Sequence, residues 1–242
     1  MEGRPTIVLL HAFPFTAAMW RPQVEGLAGS GWAVVTPPLP ALHDIDAIAD
    51  AIADAIAQEV RPLAPVVLGG LSMGGYVTLA VLRRHPDLVR AVVLADTRAN
   101  ADTAEVSERR SQQQAQVAAE GPAPIVAGAL RTLPSVHTQE SNPAVMEELR
   151  AITSDVSGEW IVAALEAMKN RPDSTGLLPT VDVPALVIVG EEDRTTPVEV
   201  AEDMARRLPN ARLAVIPEAG HVSNLEDADA FNAELRSFLE SL

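Results

Sequence analysis

Three side chains of this sequence could together perform nucleophilic catalysis: Ser72, Asp193 and His221. A serine hydroxyl is a poor nucleophile at neutral pH, so it needs a base within hydrogen-bonding reach and a third group that orients the base. Residues 70–74 read Gly-Leu-Ser-Met-Gly and lie between a buried apolar run and a helical run. That context predicts a sharp strand-to-helix turn, which only glycine neighbours allow, with the serine hydroxyl pushed out at the end of the strand.

His221 is the predicted base. It follows the end of an apolar strand pattern and precedes the last helix, so we expect its imidazole at the rim where Ser72 emerges. His85 ends a helix, where a cation meets the helix dipole favourably, and a structural role is expected for it. His43 and His137 lie in polar stretches and are expected at the surface.

The orienting carboxylate is expected on a loop that follows another strand. Residues 190–197 form such a loop, and it holds Glu191, Glu192 and Asp193. We predict Asp193 as the orienting group and the two glutamates as solvated loop acids. Asp96, which follows the fourth strand pattern, is the alternative.

Short apolar runs alternate with helical runs along most of the chain. Continuous apolar runs of this kind are typical of strands that are buried on both faces of a parallel sheet. The alternation predicts an α/β fold with a doubly wound, mostly parallel sheet, whose functional groups collect at the carboxyl ends of the strands. The predicted strands are residues 6–11, 32–36, 66–71, 89–96, 184–190 and 212–216, and the predicted helices are residues 17–27, 45–60, 73–84, 198–208 and 228–239.

The stretch between residues 98 and 180 differs from the rest of the chain. It has no convincing buried strand, but it has polar helical runs around a section punctuated by glycine and proline at residues 121–134. We therefore predict a core formed by residues 1–97 and 181–242, with a helical cap inserted at residues 98–180.

Composition limits the class of protein. The 242 residues suffice for one large domain, and 48% of them are apolar. The net charge of −15 argues against nucleic acid and against an anionic membrane surface as partners. No apolar run approaches the roughly 18 residues that cross a bilayer, and residues 1–5 carry no signal-like segment, so a cytoplasmic protein is expected. The absence of cysteine excludes disulfides and thiolate nucleophiles.

Four segments together resemble the α/β-hydrolase fold superfamily: residues 10–14, 70–75, 190–197 and 220–221. The order serine, aspartate, histidine along the chain is also the order of that superfamily. The chain is similar to its small serine carboxylesterases, enol-lactonases and carbon–carbon hydrolases over all but the predicted cap. The family's usual leading β-hairpin is expected to be absent, because Thr6 opens what would be the third strand of the family.

The resemblance implies acyl transfer through a Ser72, His221, Asp193 triad, without a metal or an organic cofactor. The backbone N–H of Met73, at the start of the helix after Ser72, is placed to stabilise an oxyanion. The second donor is implied to come from residues 11–14. Ala12 stands where the family usually has glycine, so Phe13 and Ala12 both remain candidates.

The implied substrate is a small carboxylic ester or lactone. Alternatives with the same triad are a carbon–carbon hydrolase, a thioesterase and a perhydrolase, and an alternative of another class is a receptor for a small ligand. The predicted substrate contacts are His11, Trp20, Leu133, Trp160 and Met168, although each could equally belong to a packed core. Because the base must be neutral, activity is expected to fall below roughly pH 6 to 7. The sequence leaves the oligomeric state open.

Overall fold

The computed structural model describes residues 4–60 and 65–242. Six parallel strands form one sheet in the order β2-β1-β3-β4-β5-β6. Strands β3 and β5 are buried along their whole length because helices cover both faces of the sheet. The predicted α/β fold with its parallel sheet is confirmed. The strands are β1 (Thr6–Leu10), β2 (Ala33–Val35), β3 (Val66–Leu71), β4 (Val89–Ala95), β5 (Ala185–Gly190) and β6 (Ala211–Ile216).

Helices pack on both faces of this sheet. A 3₁₀ turn (Ala17–Trp20) leads into α1, and a π-helical turn (Ile56–Val60) continues α2. The apolar sides of α2, α3 and α9 contribute to one hydrophobic layer, and those of the 3₁₀ turn and α11 to the other. These helices are α1 (Arg21–Gly26), α2 (Ile45–Ala55), α3 (Met73–Arg84), α9 (Val198–Arg207), α10 (Ser223–Glu226) and α11 (Ala228–Glu240).

Five helices lie between β4 and β5. They are α4 (Ala104–Glu120), α5 (Ala123–Thr132), α6 (Val136–Ser141), α7 (Pro143–Ala151) and α8 (Gly158–Lys169). The section that the sequence marks with glycine and proline contains α5. Pro122 and Pro124 lie at the start of that helix, where a missing N–H costs no hydrogen bond. The division into a core and a cap at residues 98–180 stays a prediction.

A buried ion cluster joins the two ends of this helical segment. Asp102, before α4, accepts hydrogen bonds from Arg110 of α4 and from Arg171 after α8. The Arg171 guanidinium lies 4.1 Å from the centroid of the Tyr76 ring on α3. The side chains of Asp102 and Arg171 are each 3% exposed. The cluster therefore fastens both ends of the helical segment to the helix that follows Ser72.

Across the described ranges, every helix is too short or too polar to cross a bilayer.

Candidate active site

Ser72 occupies the turn between β3 and α3. Its backbone has φ of 53° and ψ of −112°, a conformation that is strained for a residue with a side chain. A Cβ atom on Gly74 would lie 2.1 Å from the Leu10 carbonyl oxygen, and one on Gly70 would lie 2.2 Å from the Gly74 backbone. The glycine pattern is thus a packing requirement of the turn. The Thr97 hydroxyl donates a 2.8 Å hydrogen bond to the Ser72 carbonyl and steadies the turn from β4.

The three side chains selected from the sequence lie in one hydrogen-bonded chain. Ser72 Oγ is 2.8 Å from His221 Nε2, and His221 Nδ1 is 2.7 Å from Asp193 Oδ2. Ser72 follows β3, Asp193 follows β5 and His221 follows β6, so all three lie at the carboxyl edge of the sheet. Ser72 is 8% exposed and His221 is 1% exposed, so these hydrogen-bonded side chains are largely shielded from water.

Asp193 is held in its ionised form. Its Oδ1 accepts hydrogen bonds from the N–H groups of Thr195 and Thr196, and its Oδ2 accepts from the Thr196 hydroxyl at 2.5 Å. Burial alone would raise the pKa of this carboxyl. The charge of His221 and the hydrogen bonds from His221 and Thr196 outweigh burial and hold the pKa below 3.8.

His221 is buried beside two carboxylates. Burial alone would lower the pKa of the imidazole, but the charge and hydrogen bond of Asp193, together with the charge of Asp96, raise it above 6.5. The backbone N–H of His221 donates to the Leu133 carbonyl at 2.8 Å. The histidine is therefore held by the core through Asp193 and by the helical segment through Leu133.

Asp96, the alternative acid, does not hydrogen-bond to the imidazole. Its Oδ1 accepts the Gly190 N–H at 2.8 Å, and its Oδ2 accepts the Ser223 N–H at 3.2 Å and the Ser223 hydroxyl at 2.6 Å. Burial and the nearby charge of Asp193 raise the pKa of Asp96 to about 7. Asp193, and not Asp96, therefore contacts the imidazole of His221.

Two of the backbone N–H groups expected to stabilise an oxyanion have no hydrogen-bond acceptor. Among the described residues, the N–H of Met73 and the N–H of Phe13 find no hydrogen-bond acceptor. The N–H of Ala12 donates instead to the Met19 sulfur at 3.2 Å. The N–H of Phe13 is thus free to donate, and its role as an oxyanion donor stays a prediction.

Aromatic side chains connect α8 to the loop that carries Phe13. The Trp160 ring stacks on Phe13 with centroids 6.0 Å apart, and its indole N–H donates to the Leu39 carbonyl at 2.9 Å. His11 also contacts Trp160, but both its nitrogens face backbone groups, the Leu39 N–H at 3.0 Å and the Ala12 carbonyl at 3.1 Å. Burial lowers the pKa of His11 to about 4, so this ring is neutral. No nitrogen of His11 is left for a substrate.

The remaining predicted substrate contacts have other surroundings. Trp20 is fully buried and packs against Phe231 of α11, which gives no support to a substrate contact. Met168 is 3% exposed within the hydrophobic layer that contains α3. Leu133 reaches the site through its carbonyl, which holds His221. The substrate contacts predicted for His11, Trp20, Leu133, Trp160 and Met168 all stay predictions. His43 and His137 are exposed, as expected.

Sequence reasoning missed several residues that support the site. Glu226 accepts hydrogen bonds from the Val222 N–H, next to His221, and from the Ser135 N–H and the Thr138 hydroxyl, which belong to the helical segment. Glu226 therefore links the loop that carries His221 to the helical segment between β4 and β5. Thr97, Thr196 and Ser223 were missed as well, and their one common signal is a position within three residues of a selected Asp or His. No group of three His, Asp or Glu side chains in residues 4–60 and 65–242 is arranged to bind a metal ion.

The sequence model of the alpha/beta hydrolase family matches residues 7–234. The chain belongs to the α/β-hydrolase family. This α/β hydrolase is 31% identical over 241 residues to a pimeloyl-acyl-carrier-protein methyl ester esterase of Neisseria meningitidis. The matched region covers 95% of this chain and 71% of that protein.

Two solved structures extend the comparison. A thermophilic esterase of Thermogutta terrifontis, solved with malate bound, is 34% identical with a TM-score of 0.93 and covers 98% of this chain and 90% of that chain. The enol-lactonase of Burkholderia xenovorans LB400 is 26% identical with a TM-score of 0.88 and covers 98% of this chain and 92% of that chain. The protein is thus an α/β-hydrolase-fold enzyme.

Proposed function

We propose that this α/β hydrolase cleaves a small carboxylic ester or lactone through an acyl-enzyme intermediate on Ser72. The observation that carries the proposal is the hydrogen-bonded chain from Ser72 through His221 to Asp193, with distances of 2.8 and 2.7 Å. A hydroxyl, an imidazole and a carboxylate in this order activate the hydroxyl as a nucleophile. The esterase and enol-lactonase relatives support the substrate class, because a lactone is an ester closed into a ring.

The reaction follows from the positions of these groups. Ser72 Oγ attacks the substrate carbonyl carbon and transfers its proton to His221 Nε2. The oxygen that becomes negative accepts hydrogen bonds from the N–H groups of Met73 and Phe13. His221 then gives the proton to the departing alkoxide. Asp193 accepts the Nδ1–H hydrogen bond throughout, which fixes the imidazole tautomer and stabilises the imidazolium.

The second half of the reaction uses the same groups. Water attacks the acyl-enzyme carbonyl and passes a proton to His221 Nε2, and His221 returns that proton to Ser72 Oγ when the acid leaves. The aromatic rings of Phe13 and Trp160 are half-buried and stack on each other, and Phe13 carries one of the two proposed oxyanion donors. This apolar surface favours a substrate that carries an apolar group next to its carbonyl.

Ser72→Ala tests the nucleophile. We expect kcat/KM for p-nitrophenyl butyrate to fall by about 10⁴- to 10⁶-fold, because the nucleophile is lost while the fold is kept. Ser154→Ala, on an exposed serine, is the matched control and should behave as the wild type. Thermal unfolding of both variants should match the wild type. Near-normal turnover by Ser72→Ala would remove the serine from its role.

Two further measurements separate the alternatives. A panel of p-nitrophenyl esters, lactones, thioesters and vinylogous diketones ranks the possible substrate classes by kcat/KM. A fluorophosphonate should label the wild type at Ser72 but not Ser72→Ala. Stoichiometric labelling together with negligible turnover of the whole panel would instead favour a receptor for a small ligand.

A further inference from the structure

A second buried carboxylate lies beside the proposed triad and has no part in the reaction described above. Asp96, directly after β4, is 0% exposed. Its backbone φ of 42° lies in the left-handed region, which is uncommon for a residue other than glycine. Burying a carboxylate and straining its backbone both reduce the stability of the fold, so a functional role for Asp96 is worth seeking.

Residues 95–97 contact the loops of all three triad members. The Ala95 carbonyl accepts the Ser72 N–H at 3.0 Å, and the Thr97 hydroxyl donates to the Ser72 carbonyl at 2.8 Å. Between them, the Asp96 side chain reaches the other two loops. The end of β4 is therefore the point at which the serine turn, the acid loop and the histidine loop are joined.

The Asp96 carboxylate bridges the acid loop and the histidine loop. Oδ1 accepts the N–H of Gly190, three residues before Asp193, and Oδ2 accepts both donors of Ser223, two residues after His221. A Cβ atom on Gly190 would lie 2.1 Å from the Gly220 carbonyl oxygen, so the two loops are in backbone contact at this point. The two oxygens of one carboxylate thus accept from the Gly190 N–H, the Ser223 N–H and the Ser223 hydroxyl. An amide could not accept all three, because only its oxygen accepts and its NH₂ group donates.

Asp96 also places a second negative charge near the imidazole. The groups that face it are Asp193, which raises the pKa of Asp96, and His221, which lowers it. The charge of Asp96 in turn raises the pKa of His221, whereas Arg98, which donates to the Thr195 carbonyl, lowers it. Because the pKa of Asp96 is about 7, this second negative charge is present mainly above pH 7.

We propose that Asp96 is a positioning residue that holds the loops of Asp193 and His221 at their working separation. This role rests on the proposed function, because it acts through His221. Asp96 itself does not touch the reacting atoms.

Asp96→Asn tests the role in the full-length protein with p-nitrophenyl butyrate. We expect kcat to fall about 10-fold with little change in KM, since the substrate contacts stay in place while the imidazole is held less well. The acid limb of the kcat/KM profile should also move to lower pH, by less than about one unit, because the imidazole loses a neighbour that carries a negative charge mainly above pH 7. A purely structural role would not move this limb. Asp155→Asn, on an exposed aspartate, is the control and should leave both quantities unchanged.

Ser223→Ala is a second variant that tests the same role if Asp96→Asn does not fold. This variant removes one donor from the carboxylate and leaves the carboxylate in place, so we expect kcat to fall about threefold and the acid limb to move less, in the same direction. Wild-type kcat together with an unmoved acid limb, in either folded variant, would overturn the role of Asp96.

Failure of the proposed function has a different signature. An active Ser72→Ala variant would overturn the triad, and the role of Asp96 with it. An inactive Ser72→Ala variant, combined with a fully active Asp96→Asn variant, would overturn the role of Asp96 alone.

Discussion

The loop after β5 and the end of β4 each bury an aspartate at the same edge of the sheet, yet the two carboxyls have opposite pKa shifts. The pKa of Asp193 lies below 3.8, and the pKa of Asp96 is raised to about 7. Both accept hydrogen bonds from a backbone N–H and from a hydroxyl of a Thr or Ser side chain. Apart from the bond to His221, each carboxylate accepts three hydrogen bonds, so these bonds do not explain the difference.

The charged neighbour of each carboxylate explains it. Asp193 is hydrogen-bonded to His221, whose positive form favours the ionised carboxylate. Burial is the largest cause of the raised pKa of Asp96, and the negative charge of Asp193, its strongest charged neighbour, adds to it. Asp193 thus contacts the imidazole that we propose it orients, while Asp96 contacts Gly190 and Ser223, whose loops we propose it bridges.

The largest expected difference between the two positions comes from replacing each aspartate by asparagine. Asp193→Asn should lower kcat by about 10³- to 10⁴-fold, because an amide can hold the imidazole in the wrong tautomer. This loss is about 10²- to 10³-fold larger than the loss expected for Asp96→Asn. Steady-state kinetics on both variants, with thermal unfolding as the check on folding, measures the difference.

An equal loss of kcat in Asp193→Asn and Asp96→Asn would show that the two carboxylates do not differ in their importance for turnover. A larger loss in Asp96→Asn would transfer the orienting role from the loop after β5 to the end of β4.

The pH dependence of the wild type is the next largest effect. His221 must be neutral to take the proton from Ser72, and its pKa is raised above 6.5, so kcat/KM should fall as pH decreases through a value above 6.5. Below that value the loss should approach tenfold per pH unit, because the neutral fraction falls by that factor. A profile of kcat/KM between about pH 4 and 9 measures it. Activity that stays level down to pH 5 would contradict the assignment of His221 as the base.

The smallest effect comes from removing one hydroxyl from each carboxylate. Thr196→Val removes the 2.5 Å donor to Asp193, and Ser223→Ala removes the 2.6 Å donor to Asp96. We expect kcat to fall about tenfold in Thr196→Val and about threefold in Ser223→Ala, since only Asp193 contacts the imidazole directly. Each variant is the matched control for the other. The reverse order would indicate that the carboxylate of Asp96 matters more for turnover.

Much of the core could be read from the sequence for local reasons. The strand at residues 66–71 and the helix at residues 73–84 have the predicted bounds, because an uninterrupted apolar run and a glycine-flanked serine leave few alternatives. The helix α5 was hidden by its prolines, which mark a loop in isolation but are tolerated in the first turn of a helix. The sequence does not distinguish these two settings of proline.

The direction of individual side chains was harder to predict. Trp20 is near the oxyanion loop in sequence, but it turns into the layer formed with Phe231. Ala12 and Phe13 are adjacent, and only their backbone directions separate the N–H that meets the Met19 sulfur from the N–H that stays unpaired. Such directions depend on contacts between distant segments.

The sequence by itself determined the parallel α/β sheet, the turn at Ser72 and the small set of acids and histidines at the strand ends, because apolar periodicity and glycine spacing act locally. Only the tertiary structure decided that Asp193 rather than Asp96 contacts His221. Both aspartates follow buried strands, and the choice depends on where the loops after β5 and β6 cross the end of β4. That crossing is fixed by the packing of the whole sheet, which no short stretch of sequence encodes.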